Sequence, residues 1–198
     1  SFVENSPEMK VLEDGEHFIW ASERSGFNNY YLYNFDGTLV NPITTHPFEV
    51  SNIVKGDEED KTLFYMARSG DNHMLMQLHR VQLDGKKDTR LTDPSLNHSV
   101  TISPDGKHFV DVAQTHEIPP FTNLLDAKGK VIAELAKSDM SKFEELGLKK
   151  VEVFTFTSKD GVTELHGMIH FPSDFDPSKK YPVILSNYGG PATNAFRE

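Results

Sequence analysis

The residues best placed to do chemistry stand near the C-terminus, in Tyr181-Pro182-Val183-Ile184-Leu185-Ser186-Asn187-Tyr188-Gly189-Gly190-Pro191. An apolar run enters through Pro182 and stops at Gly-Gly-Pro, a pattern that predicts a buried strand ending in a tight, exposed turn. Tyr188, beside two glycines, can there present its phenol to a ligand that approaches the backbone closely. Other constellations are weaker. His166 and His170 are four apart, so a strand places both on one face. With no carboxylate at ligand spacing, they read as ordinary strand positions rather than a metal site. Asp57-Glu58-Glu59-Asp60 lacks the alternating Asp/Asn pattern and closing Glu of a calcium loop and reads as an acidic hairpin tip. Arg24 and Arg68 are expected to form blade-to-blade salt bridges, and Trp20 to sit in a blade core. No Gly-x-Ser-x-Gly elbow occurs in the 198 residues.

Composition narrows the function classes. With 37% hydrophobic and 25% charged residues the chain is that of a globular protein able to bury a core in one or two domains. A net charge of −10 argues against a nucleic-acid partner, since neutralising phosphates requires a basic face. No apolar run approaches the ~18 residues of a membrane span. The absence of Cys excludes disulfides, thiolate metal sites and a Cys nucleophile. No signal peptide opens the sequence, and the compartment is not written in it.

The elements that must position Tyr188 begin with a repeat. His17–Ser22, Leu63–Arg68 and Phe109–Gln114 align, with Ala21, Ala67 and Ala113 spaced by 46 and 46. Each copy follows a polar turn, and a second strand comes after it: 30–35, 77–83 and 122–126. Each second strand runs into Asp36-Gly37, Asp84-Gly85 or Lys128-Gly129. Asp-Gly suits a hairpin turn in which both central residues have positive φ. Ile43-Thr44, Leu91-Thr92 and Val131-Ile132 then lead out. A period near ~45 residues with about four short strands predicts β-propeller blades. The expected fold is mainly β: a partial propeller of about three four-stranded blades over 1–135, a linker with a short helix over 136–150, and the opening strands of an α/β-hydrolase domain over 151–198. In the linker, Ser141-Lys142-Phe143-Glu144 has capping-box spacing and Gly147 is a natural stop. Val151–Thr157 and Leu165–Pro172 predict a hairpin turning at Lys159-Asp160-Gly161.

Two stretches together carry a family resemblance. Trp20-Ala21-Ser22-Glu23-Arg24-Ser25-Gly26-Phe27-Asn28-Asn29-Tyr30-Tyr31-Leu32-Tyr33, extended by Ile43-Thr44 and Phe48-Glu49-Val50, resembles a late-blade segment of dipeptidyl peptidase IV and its bacterial relatives. Tyr181-Pro182 through Tyr188-Gly189-Gly190-Pro191 resembles the opening of the catalytic domain in the wider prolyl oligopeptidase family. The resemblance implies a serine exopeptidase in which a propeller caps an α/β-hydrolase domain and admits peptides. Such an enzyme removes N-terminal dipeptides with Pro or Ala in second place. It implies that Tyr188 is an oxyanion-hole donor, worth ~3 kcal/mol to a developing tetrahedral intermediate. The Ser, Asp and His of the triad would lie beyond Glu198, leaving this chain inactive by itself. The amine-binding acidic pair of the family would lie upstream of Ser1; Glu144-Glu145 are read instead as a solvated helix face. The resemblance calls for no cofactor or metal, implies a peptide substrate for the parent protein, leaves room for a homodimeric parent, and places relatives in the periplasm, at the surface or outside the cell. Two other readings stay open: an acylaminoacyl- or oligopeptidase-type relative, and a non-catalytic propeller binding module.

Overall fold

The computed structural model describes residues 7–187. Three four-stranded antiparallel sheets follow one another, each with its strands in sequence order. The first contains β1 (Met9–Val11), β2 (His17–Ser22), β3 (Asn29–Asn34) and β4 (Leu39–Pro42). The second contains β5 (Val50–Asp57), β6 (Thr62–Ala67), β7 (Gln77–Gln82) and β8 (Thr89–Arg90), and the third β9 (Asn97–Ile102), β10 (His108–Gln114), β11 (Phe121–Asp126) and β12 (Val131–Lys137). These are the expected consecutive blades, the last running two residues past 135.

Packing explains why the central strand of the middle blade is apolar throughout. Along β6, Leu63, Tyr65 and Ala67 enter a core shared with Ile19, Ala21 and Tyr30 of the first blade. The intervening Phe64 and Met66 enter a second core with Phe109 and Leu125 of the third. Successive strand residues point to opposite faces, so a strand covered on both sides reads as a continuous apolar run. Each large side chain so buried contributes about 1.5–3 kcal/mol. The same alternation corrects the repeat alignment. Ala67 faces the preceding blade and shares its direction with Ala113, which has the strand parity of Phe109. Ala21 faces the following blade, where its counterpart is Met66. The equal spacing of the three alanines hides a one-residue slip, which on a strand exchanges the faces.

Two of the three lead-out segments share one device. Ile43 N–H donates to Tyr30 O at 2.8 Å, and Thr44 Oγ1 accepts from Tyr30 N–H and donates to Asn29 Oδ1, both at 2.9 Å. Leu91, Thr92, Leu78 and Gln77 repeat this at 2.8, 2.9 and 2.9 Å. The ladder to the third strand is thus completed by a hydroxyl as the chain peels away to the next blade. Val131-Ile132 differs: both lie within β12, which pairs along β11 up to Lys137.

The hairpin turns also differ from expectation. Gly37, Gly85 and Gly129 have φ of 86°, 80° and 82°, whereas no positive φ occurs at Asp36, Asp84 or Lys128. Each glycine N–H donates to the residue three before it, at 2.9, 2.8 and 2.9 Å. The Asp-Gly pairs therefore close an ordinary turn with a left-handed glycine rather than a turn with two positive φ values. That explains why Lys128 serves in the third copy.

Within the third blade, on strands β9 and β10, lies a buried His–Asp pair. His98 Nδ1 lies 2.9 Å from both oxygens of Asp111, and Nε2 is 2.9 Å from Asp93 O. Beyond the blades, α1 (Ser141–Glu145) is one short turn. The capping box is not formed: the Asp139 carboxylate accepts from Ser141 N–H at 2.9 Å instead. Gly147 does stop the helix; its N–H donates to Glu144 O and that of Leu148 to Phe143 O, a Schellman closure. β13 (Glu152–Thr157) and β14 (Glu164–Ile169) form the expected hairpin, Gly161 at its tip with φ 77°. The strand expected over Pro182–Asn187 is not formed. Val183, Ile184 and Leu185 are more than four-fifths exposed, and no described strand pairs with them. A central strand needs partners on both edges, and the β13–β14 hairpin supplies neither.

Two glycines with similar φ separate packing from backbone strain. A Cβ on Gly129 would meet Leu91 O at 1.9 Å, whereas one on Gly15 meets nothing within 4 Å. Gly15→Ala is expected to cost about 1–2 kcal/mol, the left-handed penalty alone, and Gly129→Ala more than about 3 kcal/mol, since backbone of the second blade must move. Urea unfolding curves of the two variants check the difference.

Candidate functional site

In each blade the loop between the second and third strands leaves the sheet at the same end. The first, Glu23–Asn28, is held by its own side chains. Ser22 Oγ lies 3.1 Å from Arg24 Nε, and the Arg24 guanidinium sits 4.2 Å from the centre of the Tyr31 ring. Asn29 is fully buried and saturated. Its Oδ1 accepts from Thr44 Oγ1 and His46 N–H at 2.9 Å, and its Nδ2 donates to Ser25 Oγ, Phe27 O and His46 O at 3.2–3.3 Å. Phe27 is left 45% exposed.

This loop borders an open pocket of about 690 Å³ lined by Glu8, Trp20, Arg24, Phe27, Asn28 and Glu49, among others. Two of its carboxylates, Glu8 and Glu49, are engaged. Glu8 accepts from Tyr30 Oη at 2.6 Å and from Ile53 N–H at 3.1 Å. Burial, reinforced by that carboxylate, holds the Tyr30 phenol well above its ordinary pKa, so it remains a donor. Glu49 pairs with Arg68 Nε at 3.3 Å. Both arginines thus act close to their own blade, Arg24 on Tyr31 and Arg68 on the segment entering β5. The expected blade-to-blade bridges are not made by either. Trp20 is half-buried at the pocket, on the face of β2 opposite Ile19 and Ala21, and not in a blade core. The pocket offers apolar and charged contacts for binding, but no nucleophile with a base.

A second open pocket, of about 860 Å³, lies between the third blade's loop, Thr115–Ile118, and the stretch Lys149–Val153 that runs from the linker into β13. Lys150 Nζ donates to Glu117 O at 2.7 Å. The end of the linker is therefore tied to the loop of the third blade. Tyr188, the predicted donor, lies outside the described residues. Glu144 and Glu145 are solvent-exposed on α1, with Glu145 accepting from Lys142 Nζ at 2.6 Å.

One constellation was not legible in the sequence. Ser69 Oγ lies 2.7 Å from His79 Nε2, and His79 Nδ1 lies 3.1 Å from Asp88 Oδ1. The connectivity is that of a Ser-His-Asp triad. Ser69 is 3% exposed and His79 6%, so no substrate carbonyl can reach the hydroxyl. The residues lie within one blade, with no local motif to announce them.

A family model described as dipeptidyl peptidase IV (DPP IV) N-terminal region matches residues 1–120. The chain belongs to this family. Dipeptidyl peptidase 4 of Trichophyton equinum is 27% identical over 203 residues, covering 96% of this chain and 25% of its own length. Dipeptidyl peptidase 4 of Arthroderma otae is 29% identical over 182 residues, covering 89% of this chain and 23% of its own. The chain thus spans about a quarter of these relatives. Among solved structures, one assigned as a dipeptidyl aminopeptidase IV from Bacteroides ovatus superposes with a TM-score of 0.75 at 26% identity, over 90% of this chain and 28% of the other. Dipeptidyl peptidase 4 of Porphyromonas gingivalis gives 0.71 at 23% identity, over 88% and 24%, and bears on the fold. The resemblance seen in Trp20–Tyr33 therefore holds across the blades, and the relatives are dipeptidyl peptidases.

Asn29 is the residue on which the first loop's geometry depends. Asn29→Asp turns its amide donor into an acceptor facing two backbone carbonyls. A loss of more than about 3 kcal/mol is expected, with faster amide exchange at Ser25–Asn28. Thermal unfolding and hydrogen-exchange mass spectrometry measure both.

Proposed function

We propose that this chain is part of a serine exopeptidase that removes N-terminal dipeptides, with Pro or Ala in second place, from peptides. In this reading residues 1–135 are late propeller blades, 136–150 join two domains, and 151–198 open the α/β-hydrolase domain. What carries the reading is that dipeptidyl peptidase 4 relatives match 96% of the chain, from the blades through the linker and hairpin. The tie between the linker's end and the third blade's loop also supports it, because a capping propeller must turn one end toward the catalytic domain. Val110 and Val112, exposed on the face of β10 opposite Phe109, offer the apolar surface that a further blade would cover.

Tyr188 is the oxyanion-hole donor of this reading. A phenol held beside Gly189-Gly190 can approach a reacting carbonyl without obstruction from a neighbouring Cβ. The donor stabilises the charge that develops on the tetrahedral intermediate and adds little to ground-state binding. Acyl transfer also needs a nucleophile and its base. No elbow motif occurs in these residues, and the Ser69–His79–Asp88 array is closed to substrate.

The chain by itself is expected to hydrolyse a Gly-Pro chromogenic amide no faster than buffer. Turnover abolished by a fluorophosphonate, or a fluorophosphonate adduct on Ser69, would contradict this. In a longer protein carrying this chain and a triad, Tyr188→Phe is expected to lower kcat and kcat/KM together by about 100-fold. Turnover within about twofold of wild type in steady-state kinetics would make Tyr188 structural.

A further inference from the structure

We propose that His46, His79 and Asp88 form a divalent-metal site of the zinc class that fastens the first blade to the second. His46 follows β4 of the first blade; His79 lies on β7 and Asp88 just before β8 of the second. Their donor atoms, one from each residue, all lie within 4.8 Å of one another. The two imidazoles address opposite oxygens of one carboxylate. His46 Nε2 is 2.8 Å from Asp88 Oδ2, and His79 Nδ1 is 3.1 Å from Asp88 Oδ1. Tetrahedral zinc at ordinary bond lengths requires donor separations of about 3.4 Å. The separations of 2.8 and 3.1 Å fall a little short of that value, so closure about an ion needs side-chain adjustments rather than backbone movement.

The surroundings supply what a zinc site needs beyond its ligands. A ligating imidazole is oriented by a partner on its other nitrogen. His79 has one: Ser69 Oγ is 2.7 Å from its Nε2. With no metal, Nδ1–H donates to Asp88 and Nε2 accepts from the Ser69 hydroxyl. With metal on Nδ1, the hydrogen sits on Nε2 and donates to Ser69 Oγ, so no buried polar atom is orphaned in either state. Asp88 is fixed by Tyr65 Oη, which donates to Oδ2 at 2.6 Å. His46 is further held by stacking on Phe48 at 4.3 Å.

Access and chemistry select the ion. The His46 and Asp88 side chains are 21% and 22% exposed, so the metal enters from that side and keeps a water as fourth ligand, while His79 closes the rear. Two neutral imidazoles and one carboxylate favour zinc, cobalt or nickel over calcium and magnesium, which take oxygen ligands. Because the ligands come from both blades, the ion is a cross-link that forms only when the blades are docked.

The test uses the 198-residue chain, stripped with chelator and titrated with Zn²⁺ by calorimetry and with Co²⁺ by visible absorption. The expected result is one equivalent of each, the Co²⁺ complex absorbing as a four-coordinate ion, and a melting temperature that rises with Zn²⁺. Asp88→Asn and His46→Ala, with folding verified by circular dichroism, should abolish all three. Ser69→Ala should weaken Zn²⁺ at least about tenfold. His166→Ala/His170→Ala should change nothing. No saturable binding to the wild-type chain would overturn the proposal. So would binding that survives Asp88→Asn and His46→Ala, or binding that is lost in the His166/His170 variant.

Discussion

A four-stranded antiparallel sheet with two apolar faces is stable only when both are covered, and this constraint organises the whole chain. The middle blade meets it completely: β6 gives alternate residues to two cores, and Leu63, Tyr65 and Ala67 have no exposure beyond trace. Among the described residues, the outer blades meet it on one side. The first leaves the aromatic ladder of Phe18, Trp20 and Tyr33 on its far face, and the third leaves Val110 and Val112. Stability in such a stack is a sum of blade and interface contributions, so the middle blade is the keystone among the described residues.

Polar groups between the blades are satisfied with little slack. Thr44 and Thr92 finish ladders that would otherwise end in buried unpaired amides. The His98–Asp111 pair is nearly fully buried and uses both ring nitrogens. Such pairs add little net stability over apolar packing, but removing one partner costs several kcal/mol, so this one fixes β9 on β10 and the segment that leads into the third blade. The His46–Tyr65–His79–Asp88 junction links the first blade to the second. The loops at the substrate-facing end in the proposed reading are then displayed on a scaffold whose own side chains are already committed.

Much of this was legible in the sequence because blades are local. Turn glycines, apolar strands and the recurring order of elements lie within one period, and short-range signals encode them. What escaped was long-range or a matter of phase. The one-residue slip between Ala21 and Ala67 is invisible to spacing, since a strand's face depends on parity that loop lengths alter. Trp20 reads as core by type, yet its face is covered by nothing in the described residues. The histidine spacing drew attention to His166 and His170, which read as ordinary strand positions, while the cluster assembles from Asp88 and residues 42 and 9 positions before it. Val183–Leu185 reads as a buried strand by composition, but burial belongs to the sheet that receives it. The reading of Tyr188 rests on its motif alone.

Native-state hydrogen exchange tests most directly whether two-sided coverage governs this fold. The account predicts the slowest exchange in β6 and β7, protected to the level of global unfolding, with β1, β12 and the β13–β14 hairpin opening at much lower free energy. Equal protection across the three blades, or a hairpin as protected as β6, would contradict it.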